Sequence, residues 1–125
     1  MIHGIGTDLA NVKRIEEALF RHGDRFLHRI LTEEEVREYA GSAQPARFLA
    51  KRFAAKEAFS KAWGSGIGAE VGWHDISVSH DAKGRPLIVP GKRMATDMRD
   101  RALTAHLTLT DEGDHAMAFV VLETP

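Results

Sequence analysis

The sequence of 125 residues contains no cysteine. That excludes disulfide bridges, a thiolate nucleophile and cysteine-ligated zinc, and it is compatible with a reducing compartment. Proline is scarce, at 4 residues against 11 glycines, and with 43% hydrophobic and 28% charged residues the chain fits no disordered, collagenous or repeat class. No apolar run reaches the length of a membrane span. The opening Met1-Ile2-His3-Gly4-Ile5-Gly6 lacks the basic and apolar regions of a secretory leader. These absences point to an intracellular protein, and the length to one domain with a single modest core. Net charge is also slight, at -1, but unevenly spread. Residues 11 to 30 carry Lys13, Arg14, Arg21, Arg25 and Arg29 against Glu16, Glu17 and Asp24, while in residues 44 to 63 Arg47, Lys51, Arg52, Lys56 and Lys61 face Glu57 alone. Such runs read as solvated helix faces, or as an attraction for an anion or an acidic partner.

Periodicity predicts an α+β domain spanning residues 1–125, with one long buried helix packed on an antiparallel sheet. Residues 2 to 7 form a short apolar strand ending at Asp8. Asn11 caps a helix that glycine stops at Gly23, and a second short helix reaches about Ile30. Thr32 followed three residues later by Glu35 is a capping box that starts a helix through Tyr39. Pro45 suits a first helical turn, and from Arg47 to Trp63 nothing interrupts the longest helix. On its wheel, both the Phe48, Ala55, Phe59, Ala62 face and the Ala50, Glu57, Lys61, Gly64 face hold apolar or small residues, which predicts burial on most sides. Gly64, Gly66 and Gly68 close it. Residues 73 to 79 and Pro86 to Val89 read as a hairpin, 92 to 103 as an exposed helix, and His106 to Thr110 with Met117 to Leu122 as a closing antiparallel hairpin.

Few residue groups have the makings of a site. Gly4-Ile5-Gly6 begins like a dinucleotide fingerprint but lacks the third glycine and the βαβ context. What remains is Asp8, by itself a cap or turn residue as readily as a ligand, behind glycines that permit close approach by another backbone. Glu57 and Lys61 stand four apart, which as a helix pair contributes ~0.3 to 0.5 kcal/mol. Their apolar surroundings, Phe53, Ala54, Ala55, Ala58 and Phe59, make the carboxylate and the lysine suitable also for a divalent cation and a phosphate. Magnesium takes one or two carboxylates and completes its shell with water and phosphate oxygens, so Asp8 with Glu57 suffices. Gly64-Ser65-Gly66-Ile67-Gly68 follows a helix instead of opening one, so it reads first as a C-cap and only second as a phosphate cradle. The seven histidines show no pair at metal spacing on one helix, and no nucleophile elbow or Ser/His/Asp order is readable.

Taken together, these segments resemble one family. Gly4-Ile5-Gly6-Thr7-Asp8, Arg14-Ile15, the run from Arg47 through Arg52-Phe53-Ala54-Ala55-Lys56-Glu57-Ala58-Phe59-Ser60-Lys61-Ala62, Gly64-Ser65-Gly66-Ile67-Gly68 and Gly84-Arg85-Pro86 are similar, along the whole chain, to the holo-acyl-carrier-protein synthases. Two positions depart: Ser65 stands where threonine is usual, and Thr108-Leu109-Thr110-Asp111 replaces a commoner Ser-x-Ser-His. The resemblance implies the 4'-phosphopantetheinyl transferase fold and a cytoplasmic homotrimer. Its implied activity moves the 4'-phosphopantetheine arm of coenzyme A to a serine of apo acyl carrier protein, in support of fatty acid biosynthesis, and releases adenosine 3',5'-bisphosphate. It assigns Asp8 and Glu57 to magnesium and Lys61 to the pyrophosphate. Arg14, Arg21 and Arg25 then meet the acidic carrier, and Gly64, Ser65, Gly66, Pro86, Thr108, Thr110 and Asp111 line the coenzyme A cleft. The serine's base is Glu57 or a metal-activated water. A trimer follows from a site whose Asp8 stands far from the C-terminal hairpin, which a neighbouring subunit can complete.

Three rival functions stand beside this one. The same chemistry on carrier domains of polyketide or peptide synthases is compatible with every motif. A non-catalytic carrier-binding subunit needs the arginines but not Asp8, Glu57 and Lys61 together. A nucleic-acid module would use the basic stretches, yet nothing supplies a recognition helix or exposed stacking aromatics, so neither nucleic acid nor membrane is an expected partner.

Overall fold

The chain runs β1 (Ile2–Asn11), α1 (Val12–His22), α2 (Asp24–Ile30), α3 (Glu33–Ala40), α4 (Pro45–Trp63), β2 (Ile76–His80), β3 (Pro86–Pro90), α5 (Lys92–Asp100), β4 (Thr104–Glu112) and β5 (His115–Glu123) in the computed structural model, which describes residues 1–125. An antiparallel sheet in the order β1-β5-β4 is covered on one face by α4, and β2 with β3 makes a separate hairpin. This is the α+β arrangement that the periodicity predicts.

Several boundaries differ from the sequence reading, and β4 and β5 both run longer than their apolar cores. β1 continues to Asn11, because residues 8 to 11 keep pairing with Ala118 to His115; Asp8 therefore sits within a strand and not at its end. Residues 73 to 75 belong to a turn before β2, where the Asp75 carboxylate accepts the Gly72 N–H at 2.6 Å. α5 stops at Asp100, since Ala102 takes a left-handed φ of 54° that no helix continues.

The caps follow the sequence. Asn11 Oδ1 accepts the Lys13 and Arg14 amides, Thr32 and Glu35 complete their capping box, and Gly64 ends α4 at φ 106°. α4 is buried nearly all round, with Leu49, Ala50, Ala54, Ala58 and Phe59 wholly enclosed. It lies against β1 through two glycines. A Cβ at Gly4 would come within 2.0 Å of the Ala62 carbonyl oxygen, and one at Gly6 within 2.0 Å of that of Ala58. The Gly-x-Gly of the N-terminus is thus a packing device that lets helix and strand backbones touch.

Three charged residues lie inside. Glu35, Arg52 and Lys56 are buried, and together they join α3, α4 and β2. Lys56 Nζ donates to the Ile30 carbonyl at 2.6 Å, to Glu35 Oε1 at 2.6 Å and to the Trp73 carbonyl at 2.7 Å. Arg52 donates to the Val78 carbonyl at 2.6 Å, and Glu35 accepts the Val78 N–H at 2.9 Å. The side chains thereby pair the polar groups on the free edge of β2. No buried side-chain polar atom is left without a partner.

Candidate functional site

β1 alternates, so that Gly6 and Ala10 are buried against α4 while Ile5, Thr7 and Leu9 are exposed on the other face. Asp8 shares the face of the glycines. Because Gly4 and Gly6 bring α4 close, the Asp8 carboxylate lies beside the helical turn that carries Glu57 and Lys61. Lys61 Nζ donates to the Thr7 carbonyl at 3.0 Å and to Asp8 Oδ1 at 3.3 Å. The helix pair between Glu57 and Lys61 is not what forms: the lysine's ion pair runs from helix to strand, to Asp8.

Glu57 is only partly exposed. Burial pushes its carboxyl above the ordinary glutamate range, the neighbouring Asp8 charge pushes it further, and Lys61 pulls it partway back. Two carboxylates in each other's field, one of them reluctant to ionise, form a donor set that a cation would relieve. Their hard oxygens suit magnesium, and no cluster of three or more His, Asp or Glu side chains exists to enclose an ion fully. A cation held here must therefore take further oxygens from water or substrate.

The other candidates separate into two groups. Gly64, Ser65 and Gly66 follow the C-terminal end of α4, where the Gly64 and Gly66 amides both donate to the Ser60 carbonyl at 3.1 Å. Those two amides are engaged in the helix cap. Asp111 lies at the opposite end of the same helix, accepting from Arg47 at 2.9 Å and from Lys51 at 3.1 Å. From residue 47 to residue 64 a helix rises about 25 Å, so these groups cannot meet within one chain. Pro86 pairs with His80 in the β2–β3 ladder, and His80, Gln44, Arg47, Lys51 and Asp111 line one cleft of about 530 Å³. Thr108 and Thr110 occupy exposed alternate positions of β4, so they face away from Asp111, on the uncovered side of the sheet. A larger cleft, of about 700 Å³, opens between α3 and the hairpin and contains none of the candidates.

The distance of Asp8 from the C-terminal hairpin needs correction. β1 pairs directly with β5, and Asp8 is opposite Ala118. What separates the two groups is the length of α4. Sequence reasoning also gave no role to Arg47, Lys51 or His80. The signals for the first two were the basic run and the long helical motif they belong to. Burial, followed by the Arg52 charge, holds His80 below the usual histidine range.

Asp111 carries a pH signature. Burial pushes its carboxyl up, but hydrogen bonds from Lys51 and Arg47 outweigh it and hold the pKa below the ordinary aspartate value. A carboxylate depressed in the folded state contributes stability above its unfolded pKa and loses it as pH falls toward the folded value. Asp111→Asn should therefore flatten the acid limb of the stability profile below about pH 4. Urea unfolding of parent and variant from pH 7 to 3 measures this. Parallel profiles would show that the two cations do not act on Asp111.

Arg14 and Arg21 are exposed on α1, and Arg25 on α2. Arg14 and Arg21 are seven residues apart and share a face, without acidic partners within ion-pair distance. No helix is long and apolar enough to cross a membrane.

Comparison with known proteins covers the whole chain. The sequence pattern of the 4'-phosphopantetheinyl transferase superfamily matches residues 4–120. The holo-[acyl-carrier-protein] synthase of Azoarcus sp. (strain BH72) is 54% identical over 124 residues, 99% of either chain. The crystal structure of holo-[acyl-carrier-protein] synthase from Neisseria meningitidis superposes with a TM-score of 0.95 at 42% identity, over 99% of this chain and 100% of that one. The holo-(acyl-carrier-protein) synthase from Bacillus anthracis str. Ames, solved in complex with CoA (3',5'-ADP), gives a TM-score of 0.85 at 40% identity, over 100% and 99%.

Proposed function

The chain belongs to the 4'-phosphopantetheinyl transferase superfamily, and from that premise we propose that it transfers the 4'-phosphopantetheine of coenzyme A to a serine of apo acyl carrier protein. The observation that carries this reading is the convergence of Asp8, Glu57 and Lys61 where β1 meets α4. A non-catalytic carrier-binding subunit has no use for that convergence.

In the reaction, the serine oxygen forms a bond to the phosphorus on the pantetheine side of the pyrophosphate. The bridging bond breaks, the serine proton is lost and adenosine 3',5'-bisphosphate leaves with the electron pair. Asp8 and Glu57 would hold magnesium, which when bound supplies positive charge to the pyrophosphate oxygens. Lys61 donates to a phosphate oxygen as a compact, mobile cation and steadies charge on the leaving group. The serine proton is accepted either by Glu57 or by a water that the cation would activate. Arg14, Arg21 and Arg25 attract an acidic carrier and set its encounter rate.

The active form is proposed to be a homotrimer in the cytoplasm, serving fatty acid synthesis. Ile5, Leu9 and Met117 expose 59%, 62% and 40% of their surface on the uncovered face of the sheet, next to Phe119 and Val121. An apolar sheet face of this kind is ordinarily covered. Association there would also allow the Ser65 end of α4 in one subunit and the Asp111 end in its neighbour to line a single coenzyme A cleft.

Mass spectrometry tests both parts. Incubation with coenzyme A, magnesium and apo acyl carrier protein should add one phosphopantetheine to the carrier serine, and native spectra of the enzyme should show three copies. An unmodified carrier would sink the assigned reaction, and a fully active monomer would sink the shared cleft.

A further inference from the structure

Lys61 has two partners on β1 of different kinds. The Thr7 carbonyl oxygen at 3.0 Å is neutral, whereas Asp8 Oδ1 at 3.3 Å belongs to a carboxylate assigned above to the cation. The lysine side chain is 50% exposed and that of Asp8 only 16%. The carboxylate is thus fixed on its strand while the long lysine arm can move. Lys61 is also the charge that offsets Asp8, through their ion pair at 3.3 Å. A divalent ion would do the same task with twice the charge, and it would repel an ammonium touching the same carboxylate.

We propose that Lys61 and the divalent cation compete for Asp8, so that the cation's arrival releases Lys61 from Asp8 Oδ1 and turns its freed N–H toward phosphate. This rests on the Asp8–Glu57 cation site proposed above. The Thr7 carbonyl remains as the pivot, and the ammonium has three N–H donors to share between it and the substrate. The order of events is then built into the fold: the clamp on the pyrophosphate becomes available once the cation is in place. Before that, the ammonium offsets the charge of Asp8.

The test uses the full-length protein, Mn2+ and no coenzyme A. Titration calorimetry should show that Lys61→Met binds Mn2+ about tenfold more tightly than the parent, because its competitor is gone. Lys61→Gln, which can still reach the Thr7 carbonyl, should tighten similarly. Lys13→Met removes an equal charge at an exposed site on α1, where Lys13 pairs with Asp114 at 3.5 Å; it should leave the affinity within about twofold. Melting supplies the second readout. Lys61→Met should melt below the parent in chelator, and the gap should close at saturating Mn2+, when Lys61 no longer contributes through Asp8. Unchanged or weaker Mn2+ binding in both Lys61 variants, or a melting gap that saturating Mn2+ leaves intact, overturns the competition. Failure of the parent to bind Mn2+ would overturn the cation site itself, and the competition with it.

Discussion

Glu57→Gln and Asp8→Asn are expected to lower phosphopantetheine transfer by at least 10²- to 10³-fold, the scale seen when one preorganised electrostatic group is removed from a site. The same substitutions should leave the protein folded, and for Glu57 the stability effect should have the opposite sign to the activity effect. Burial and the Asp8 charge raise the Glu57 pKa in the folded state. The ionised carboxylate is therefore a cost to the fold above that raised pKa, and a neutral amide of the same shape removes it. Without added cation at pH 7, Glu57→Gln should melt at or above the parent. Asp8→Asn loses its pair with Lys61, whose half-exposed ammonium makes the contribution a small one, ~0.2 to 1 kcal/mol. Loss of turnover alongside unchanged or raised stability identifies groups retained for chemistry and not for folding. The checks are carrier mass shift for activity and thermal melting for stability. Near-parental turnover in either variant would refute a site built on two carboxylates.

The sequence exposed what depends on local pattern. The Thr32–Glu35 capping box, the Asn11 cap and the Gly64 stop were legible because a cap is set by residues within one turn of each other. The burial of α4 on most sides was legible from a wheel with no polar stripe. Asp8 was placed at a strand end because Leu9, Ala10 and Asn11 carry no strand signal of their own; their pairing is imposed by β5, more than a hundred residues later. Non-local geometry also hid how the site is assembled. Nothing in a one-dimensional reading shows that Gly4 and Gly6 draw α4 close enough for Lys61 to reach Asp8, or that Arg47 and Lys51 bracket Asp111. The family resemblance implies one cleft lined by Thr108, Thr110 and Asp111, whereas alternation along β4 sends the threonines and the aspartate to opposite faces. Glu35 was readable as a capping residue, and its second task, as buried counter-ion to Lys56 and Arg52, was not.

That second task carries the largest stability effect expected outside the apolar core. Lys56→Met should destabilise the protein by about 3 to 5 kcal/mol, the range for breaking a buried ion pair by removing one partner. A domain of this size has roughly 5 to 15 kcal/mol in total, so about a fifth or more of its stability is at stake. Methionine fills much of the lysine's volume, and a packing defect is therefore not the main cause. The cause is the loss of three donors: Glu35 Oε1 and the Ile30 and Trp73 carbonyls all accept from one ammonium. Burial lowers the Lys56 pKa while Glu35 works against that shift, and only the protonated side chain can supply all three acceptors at once. Coupling distinguishes this from a general loss of packing. In a Glu35→Gln background, where the carboxylate charge is already gone, the further cost of Lys56→Met should be much smaller than in the parent, because the two residues act as a unit. Urea unfolding of the four proteins in the cycle measures it. Strict additivity, or a Lys56→Met penalty under about 1 kcal/mol, would mean that the buried network satisfies its own polar groups without holding α3, α4 and the Trp73 turn together. The expected penalty also bears on function, since Lys56 precedes Glu57 on α4 and its three contacts fix the helix against rotation. Variants that weaken this anchor should lose turnover through a displaced Glu57 even at temperatures where the fold survives.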